Sequence, residues 1–426
     1  MRSALLSLSC LLAGFVPLAC VDPEDIILKG TVDVIVVDGT ITNLAEPQVI
    51  RLNRSRADPL TGRFGVLPIT KANVEVVVDS VEVITCHETI DGSYQLPSDF
   101  RGRVGHTYQL RFMLSDGSRY QSTQQLLQAA PPIQKATARF NPKSIFPPFA
   151  DNLYTAGHDI FIDTKDPAEA KNFYRWDWVL WEKQDWCRSC YQGEYSVYTV
   201  TAELIRASFP PGNYYIYRSG NTQLLEDCYY QLIPPSPTTQ TSLPPYTYDY
   251  ECRTQCWEII YSRTVNLFDD QNANGGLITN RKIAQVPFYS HNSCLVELRQ
   301  NALTADAYRY FKLFQQQTQN TGGISDTPQT ALVGNIRNLA NDREAVVGYF
   351  TASGVSVARH WLDRKDTQGS PPGLFEALNG RSPIREPALP YESPQFEINN
   401  SPARPPSAVC VPSDNRTPYK PEGWQD

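Results

Sequence analysis

Apolar residues recur at every second position along much of this chain, and that period predicts strands. A β-branched run over residues 31–41 opens the series and reads as a strand ending in a turn at Asp38-Gly39. Val49–Leu52, Val74–Val78 and Val81–Ile84 follow. Asp91-Gly92 marks a turn before Tyr94-Gln95-Leu96, and Thr107–Leu114 alternates until Asp116-Gly117. Short strands at this spacing predict an immunoglobulin-like β-sandwich over residues 24–130. Ala129-Ala130-Pro131-Pro132 reads as the link to a second unit.

The second unit, residues 134–362, is expected to be β-rich. Asp159–Asp163 alternates, as does Phe173–Trp181, where Tyr174, Trp176, Trp178 and Leu180 form the more apolar face and should point to the core. Glu258–Tyr261, Leu295–Leu298, Val346–Phe350 and Ser353–Val357 repeat the pattern. One helix is clear, from about Ala305 to Gln319. Thr304 is its N-cap, Ala307, Tyr308, Phe311 and Phe314 are its apolar stripe, and Gly322-Gly323 is its stop. The stripe reads as core packing. Periodicity fades between 187 and 256, where five cysteines and many Tyr and Pro predict a disulfide-held insert. Residues 363–426 are proline-rich and should run as an extended tail, partly ordered through Cys410. The expected fold is therefore mainly β: an N-terminal immunoglobulin-like β-sandwich, then a second β-rich domain with one clear helix and a disulfide-rich insert.

Composition agrees with strands and long connections, with 23 Tyr, 7 Trp and 33 Pro in 426 residues. The formal charge of −7, with few Lys/Arg clusters, argues against a nucleic-acid partner.

The N-terminus changes the picture more. Arg2 followed by an uncharged, leucine-dominated stretch to Ala19 has the layout of a signal peptide over residues 1–19. The apolar run is too short to span a bilayer, which takes about 20 residues. Pro17-Leu18-Ala19-Cys20 looks like a lipobox, so residues 20–23 would form a lipid-anchored start with acyl chains on Cys20. Asp22, Glu24 and Asp25 resemble the acidic signal that directs lipoproteins of Bacteroidota to the cell surface. The alternative is an ordinary signal peptide with a cysteine near its cut. Removing residues 1–19 takes away one arginine and no acid, moving the net charge from −7 to −8.

Eight cysteines remain for the folded body: Cys86, Cys187, Cys190, Cys228, Cys252, Cys256, Cys294 and Cys410. An even number in an exported chain reads as disulfides, with pairing open. The competing reading is a metal site, because Cys187-x-x-Cys190 and Cys252-x-x-x-Cys256 supply four thiols with no histidine near them.

Three ordered blocks carry a resemblance. The first is Asp166-Pro167-x-x-Ala170-x-x-Phe173-Tyr174-Arg175. The second is Leu303-Thr304-x-x-Ala307-Tyr308-x-Tyr310-Phe311, with Gln315-Gln316-Gln317 and Gly322-Gly323 after it. The third is Val333-Gly334-Asn335-Ile336, then Val347-Gly348-Tyr349-Phe350-x-Ala352-Ser353-x-Val355-Ser356. Together, from about Cys20 to Leu362, they resemble a Bacteroidota outer-membrane lipoprotein family labelled domain of unknown function 4249. The resemblance implies a lipoprotein encoded beside TonB-dependent receptors, and it brings no catalytic residues to carry over.

The chain holds no Gly-x-Ser-x-Gly, no His-Glu-x-x-His and no Walker phosphate loop, and its five histidines are scattered singly. Asp270-x-Asn272-x-Asn274-Gly275 matches the opening of a calcium loop, but Arg281 stands where a bidentate Glu is needed, and a plain turn fits as well. Apart from that calcium possibility, no cofactor is expected. Trp181, Trp186, Tyr191, Tyr229, Tyr230, Tyr246, Tyr248 and Tyr250 crowd the insert, either as a binding surface or as packing for a small subdomain. Three functions compete. One is a non-enzymatic binding lipoprotein working with an outer-membrane receptor. The others are a structural or adhesive surface protein (or envelope-assembly partner), and an enzyme acting on glycans or peptides. The expectation is the first, anchored in the outer membrane and facing the cell surface.

Overall fold

The computed structural model describes residues 34–57, 64–145, 155–168, 171–191, 247–318, 332–385 and 407–426. The fold is mainly β, with β-sandwiches at its centre and two α-helices among the described residues.

In the first sandwich, one sheet has the order β21 (Val346–Ser353), β1 (Val34–Thr42), β2 (Val49–Ala57), β7 (Ser93–Gln95), β6 (His87–Ile90), with β3 (Phe64–Pro68) also on β2. The facing sheet runs β20 (Ile336–Asn338), β9 (Arg119–Ser122), β8 (Thr107–Met113), β4 (Asn73–Val78), β5 (Glu82–Thr85), with β10 (Gln125–Leu126) on β8. Alternation places Ile35, Val37, Ile50 and Leu52 against Val74, Val76, Leu110 and Phe112 in one core. Each such side chain contributes roughly 1.5–3 kcal/mol by leaving water.

The sandwich is not confined to residues 24–130, which corrects the expected division. β20 and β21 return from more than 200 residues downstream to complete one edge of each sheet. β21 lies parallel to β1, from Ile35↔Val346 to Thr42↔Ser353. Parallel partners need a long crossover, and here the second unit is that crossover.

In the second unit, β11 (Ile133–Ile145), β12 (Thr155–Lys165) and β18 (Leu277–Pro287) form one sheet. The other has the order β22 (Val355–Leu362), β19 (Cys294–Leu303), β13 (Phe173–Lys183), β16 (Trp257–Tyr261), β24 (Arg416–Thr417), with β17 (Asn266–Asp269) also on β13. Tyr174, Trp176, Trp178 and Leu180 all face this core, as their alternation requires. Helix α1 (Ala305–Thr318) begins after Thr304, whose hydroxyl accepts the Ala307 N–H at 3.3 Å. Ala307 is fully buried, in a cluster that Tyr308, Tyr310 and Phe311 pack against beside Phe173 and Tyr349.

The two units are joined by polar contacts as well as by shared strands. Arg299 donates to both oxygens of Glu46 at 3.0 and 2.8 Å. Asn43 Oδ1 accepts the Val355 N–H at 2.6 Å. The expected extended tail is in part folded: it carries α2 (Leu374–Asn379), and Trp424 is set edge-on to both Trp257 and Trp361.

Candidate functional site

Strand β13 keeps its alternation one step past the core aromatics, and that step puts a carboxylate inside. Glu182 is 1% exposed and ion-pairs with Arg364, also fully buried. Arg364 donates further to Ser290 O at 3.0 Å and Asn292 O at 2.9 Å. Burial alone would lower the Arg364 pKa, but the facing Glu182 carboxylate outweighs it and raises it, so the guanidinium stays charged. This clamp fixes the point where the chain leaves the second sandwich.

Beyond the clamp lies a small sheet of β14 (Trp186–Tyr191), β15 (Thr247–Cys252) and β23 (Ser407–Ala408), the last parallel to β15. Disulfides Cys187–Cys252 and Cys256–Cys410 close it. Among the described residues its own core is Cys187, Tyr250, Cys256, Ala408 and Cys410. The covalent links reinforce that small cluster.

Buried Asp249 ties the tail to the sheet. It accepts from Ser189 Oγ at 2.5 Å, from the Arg381 guanidinium at 2.6 and 2.9 Å, and from the Ile384 N–H at 2.7 Å. Burial pushes this carboxyl up, but the Arg381 fork, Ser189 and the Ile384 amide outweigh it and hold it below the usual range. Glu258 is a second anchor, accepting from Gln184 Nε2 at 2.8 Å and Arg416 Nε at 3.1 Å, while Arg416 also donates to Cys187 O at 2.7 Å.

An open cleft of about 590 Å³ runs over this subdomain. Lys183, Arg253 and Arg385 bring positive charge to it, Asp185 and Glu251 negative charge, and Cys252 and Cys256 form part of its wall. Trp186 is half-buried at its side, with the Phe375 ring 5.7 Å away and the Arg385 guanidinium over its face at 5.6 Å. Arg385 also pairs with Glu251. The arrangement offers charges of both signs and an aromatic edge. Among the described residues that line it, there is no histidine or free thiol to act as base or nucleophile.

The predicted aromatics divide. Trp186 reaches the cleft, whereas Trp181 lies partly buried on β13 opposite Ile259 and Leu295. Tyr250 is 3% exposed and packs the subdomain, which corrects its reading as a binding residue. Tyr191 and Tyr248 sit in β14 and β15, but their side chains, like that of Cys190, lie outside the described part. Tyr229, Tyr230, Tyr246, Cys228 and Cys20 lie outside the described residues altogether.

Two cysteines depart from the disulfide expectation. Cys86 is a free thiol in the first core and Cys294 a free thiol in the second, each enclosed by apolar neighbours in a different sandwich. Burial, with a smaller push from Glu75, raises the Cys86 pKa to about 12. In the segment that matches the opening of a calcium loop, Asp270 is buried with one carboxylate oxygen accepting the Asn172 N–H at 2.7 Å, whereas Asn272 and Asn274 are exposed. Residues 270–272 form a 3-10 turn there.

The clamp and the charged cleft residues escape the motif search. Glu182 carries a readable signal, since an acid at the inward parity of a strand needs a buried cation. Arg364, Arg381 and Arg385 carry none, because they reach the site from a tail without periodicity.

No curated protein and no solved structure matches this chain. The family model described as "Domain of unknown function (DUF4249)" matches residues 21–359, well over half of the chain, and its span covers both sandwiches and the cysteine-tied sheet except for the tail strands. The chain belongs to the DUF4249 family.

Proposed function

We propose that the chain is an outer-membrane lipoprotein, anchored through acyl chains on Cys20 and facing the cell surface. In this reading it binds rather than transforms its ligand, and it works beside a TonB-dependent receptor in capturing a nutrient or macromolecule. The observation that carries the reading is the cysteine-tied subdomain with its open cleft. Two disulfides in a small sheet fit an exported protein, in keeping with the leader and the lipobox-like Pro17–Cys20. The cleft offers charges of both signs beside Trp186, a surface suited to recognition. Attachment through lipid is consistent with the described helices, none of which is long and apolar enough to cross a membrane.

The test is an affinity pull-down from gently solubilised outer membranes through a C-terminal tag, with Cys20→Ser as the unlipidated control. A TonB-dependent receptor co-purifying in near-stoichiometric amount with the lipidated chain, and lost with the control, is the expected result. A lipidated chain that comes out alone removes the receptor from the proposal, and a chain that carries no acyl group removes the anchor.

A further inference from the structure

Two cross-links intended only to staple a sheet do more when set far apart, because each then restrains a separate stretch. Here they are neighbours. The Sγ atoms of Cys187, Cys252 and Cys256 all lie within 4.8 Å of one another, and Cys410 is bonded to Cys256. Three sulfurs, from β14, the end of β15 and the following turn, therefore cluster, and the fourth, from the tail, stands one disulfide bond away from them. Stapling does not require that clustering. A tetrahedral thiolate site does: with metal–sulfur bonds of about 2.3 Å, its sulfurs stand about 3.8 Å apart.

We propose that Cys187, Cys252, Cys256 and Cys410 form one exchangeable site: two disulfides when oxidised, and a tetrahedral four-thiolate site for a thiophilic d10 dication such as Zn2+ when reduced. Each disulfide takes two electrons and two protons from a dithiol reductant, which itself closes to a disulfide. Zn2+ then forms four metal–sulfur bonds, and the four thiol protons go to solvent.

The surroundings fit both steps. Cys252 and Cys256 line the cleft, so reductant and metal have a route in. The loaded site carries two net negative charges, and among the described residues Lys183, Arg253 and Arg385 line that same cleft beside Asp185 and Glu251. Nearby cations favour thiolate over thiol. Cys187, Cys256 and Cys410 are buried, which shields the metal bonds from water. A four-coordinate metal joins the same four segments as the two disulfides. The fold is thus held in either state.

The experiment uses the full-length chain in mild detergent, reduced without oxygen by a phosphine, which takes up oxygen from water and leaves both disulfides as thiols. Zn2+ is added, the excess removed, and bound metal measured. About one Zn2+ per chain is expected. Co2+ in its place should give the absorption of a tetrahedral thiolate complex. In the wild-type chain, bound Zn2+ should shield Cys187, Cys252, Cys256 and Cys410 from alkylation but not Cys190 or Cys228. This mapping needs no variant, so it stands even where Cys256→Ser fails to fold. A reduced chain that retains no Zn2+, or one whose metal shields Cys190 or Cys228 instead, overturns the proposal.

Discussion

Arg364 occupies a left-handed backbone conformation, φ 55°, that a long side chain rarely adopts. What holds it there is its guanidinium, locked between Glu182 and the carbonyls of Ser290 and Asn292. Arg364→Met leaves Glu182 buried without a partner and should cost about 3–5 kcal/mol in urea unfolding. Replacing both partners, as Glu182→Leu with Arg364→Met, should recover most of that loss, because two apolar groups leave no orphaned charge. A single variant within about 1 kcal/mol of wild type would show that water reaches the pair. Asp249 gives the matching case for pH. Its folded pKa is depressed, so its contribution is complete above the unfolded value of about 3.9 and is lost as pH falls through the lower folded value. Amide exchange of residues 381–385, corrected for its intrinsic pH dependence, should therefore speed up in that acid window. In Asp249→Asn the protection should be weak and flat with pH, and equal flatness in the wild type would sink the argument. Little at this scale was legible in advance. Glu182 carried a signal in its strand parity that went unread, whereas Asp249 sits in an insert with no period, and its partner Arg381 lies more than a hundred residues away in a proline-rich stretch.

At the level of elements, legibility followed burial. β13 and β8 were readable because burial imposes its period on the sequence, and α1 because Ala307, buried, with half-buried Tyr308 and Phe311, keeps the helical spacing, although Phe314 of the same stripe is exposed. β11 was not, although it is thirteen residues long. As an edge strand of a three-stranded sheet it carries Lys135, Arg139, Asn141 and Lys143, polar residues that discourage further pairing and also hide the strand from a hydrophobic pattern. β21 was legible as a strand but not as a member of the first sandwich. Its fit against β1 depends on Gly348, φ 103°, where an added Cβ would meet Val37 O at 1.9 Å. Gly348→Ala must therefore open the β1–β21 pairing, at about 1–3 kcal/mol or more. Gly117→Ala is the control, since that glycine also has positive φ, 87°, yet nothing lies within 4 Å. Equal losses in the two variants, measured by thermal unfolding, would mean that backbone strain alone matters at Gly348 and that the close approach to β1 does not.

At the scale of the whole molecule, the first sandwich is finished only after the second has been threaded. Local pattern cannot encode that arrangement, because Ile35 and Val346 each read as ordinary buried strand positions and only their pairing sets the topology. The consequence is thermodynamic. Two beads on a string would unfold separately, but units that share β20 and β21 and are bridged by Arg299 and Glu46 should unfold together. The sequence supplies a probe for each half. All seven tryptophans lie between Trp176 and Trp424, so indole fluorescence reports the second unit and the tail and is blind to the first sandwich. Cys86, free and buried in the first core, reports that sandwich through alkylation, read at its own peptide so that Cys294 does not contribute. With the disulfides intact, denaturant midpoints from fluorescence and from Cys86 labelling should coincide. Gly348→Ala weakens the shared edge and should pull them apart, with Cys86 becoming reactive at lower denaturant than the fluorescence change. Separate midpoints in the wild type would mean that β21 can leave the first sandwich at little cost, and that the two units are coupled by chain connectivity alone.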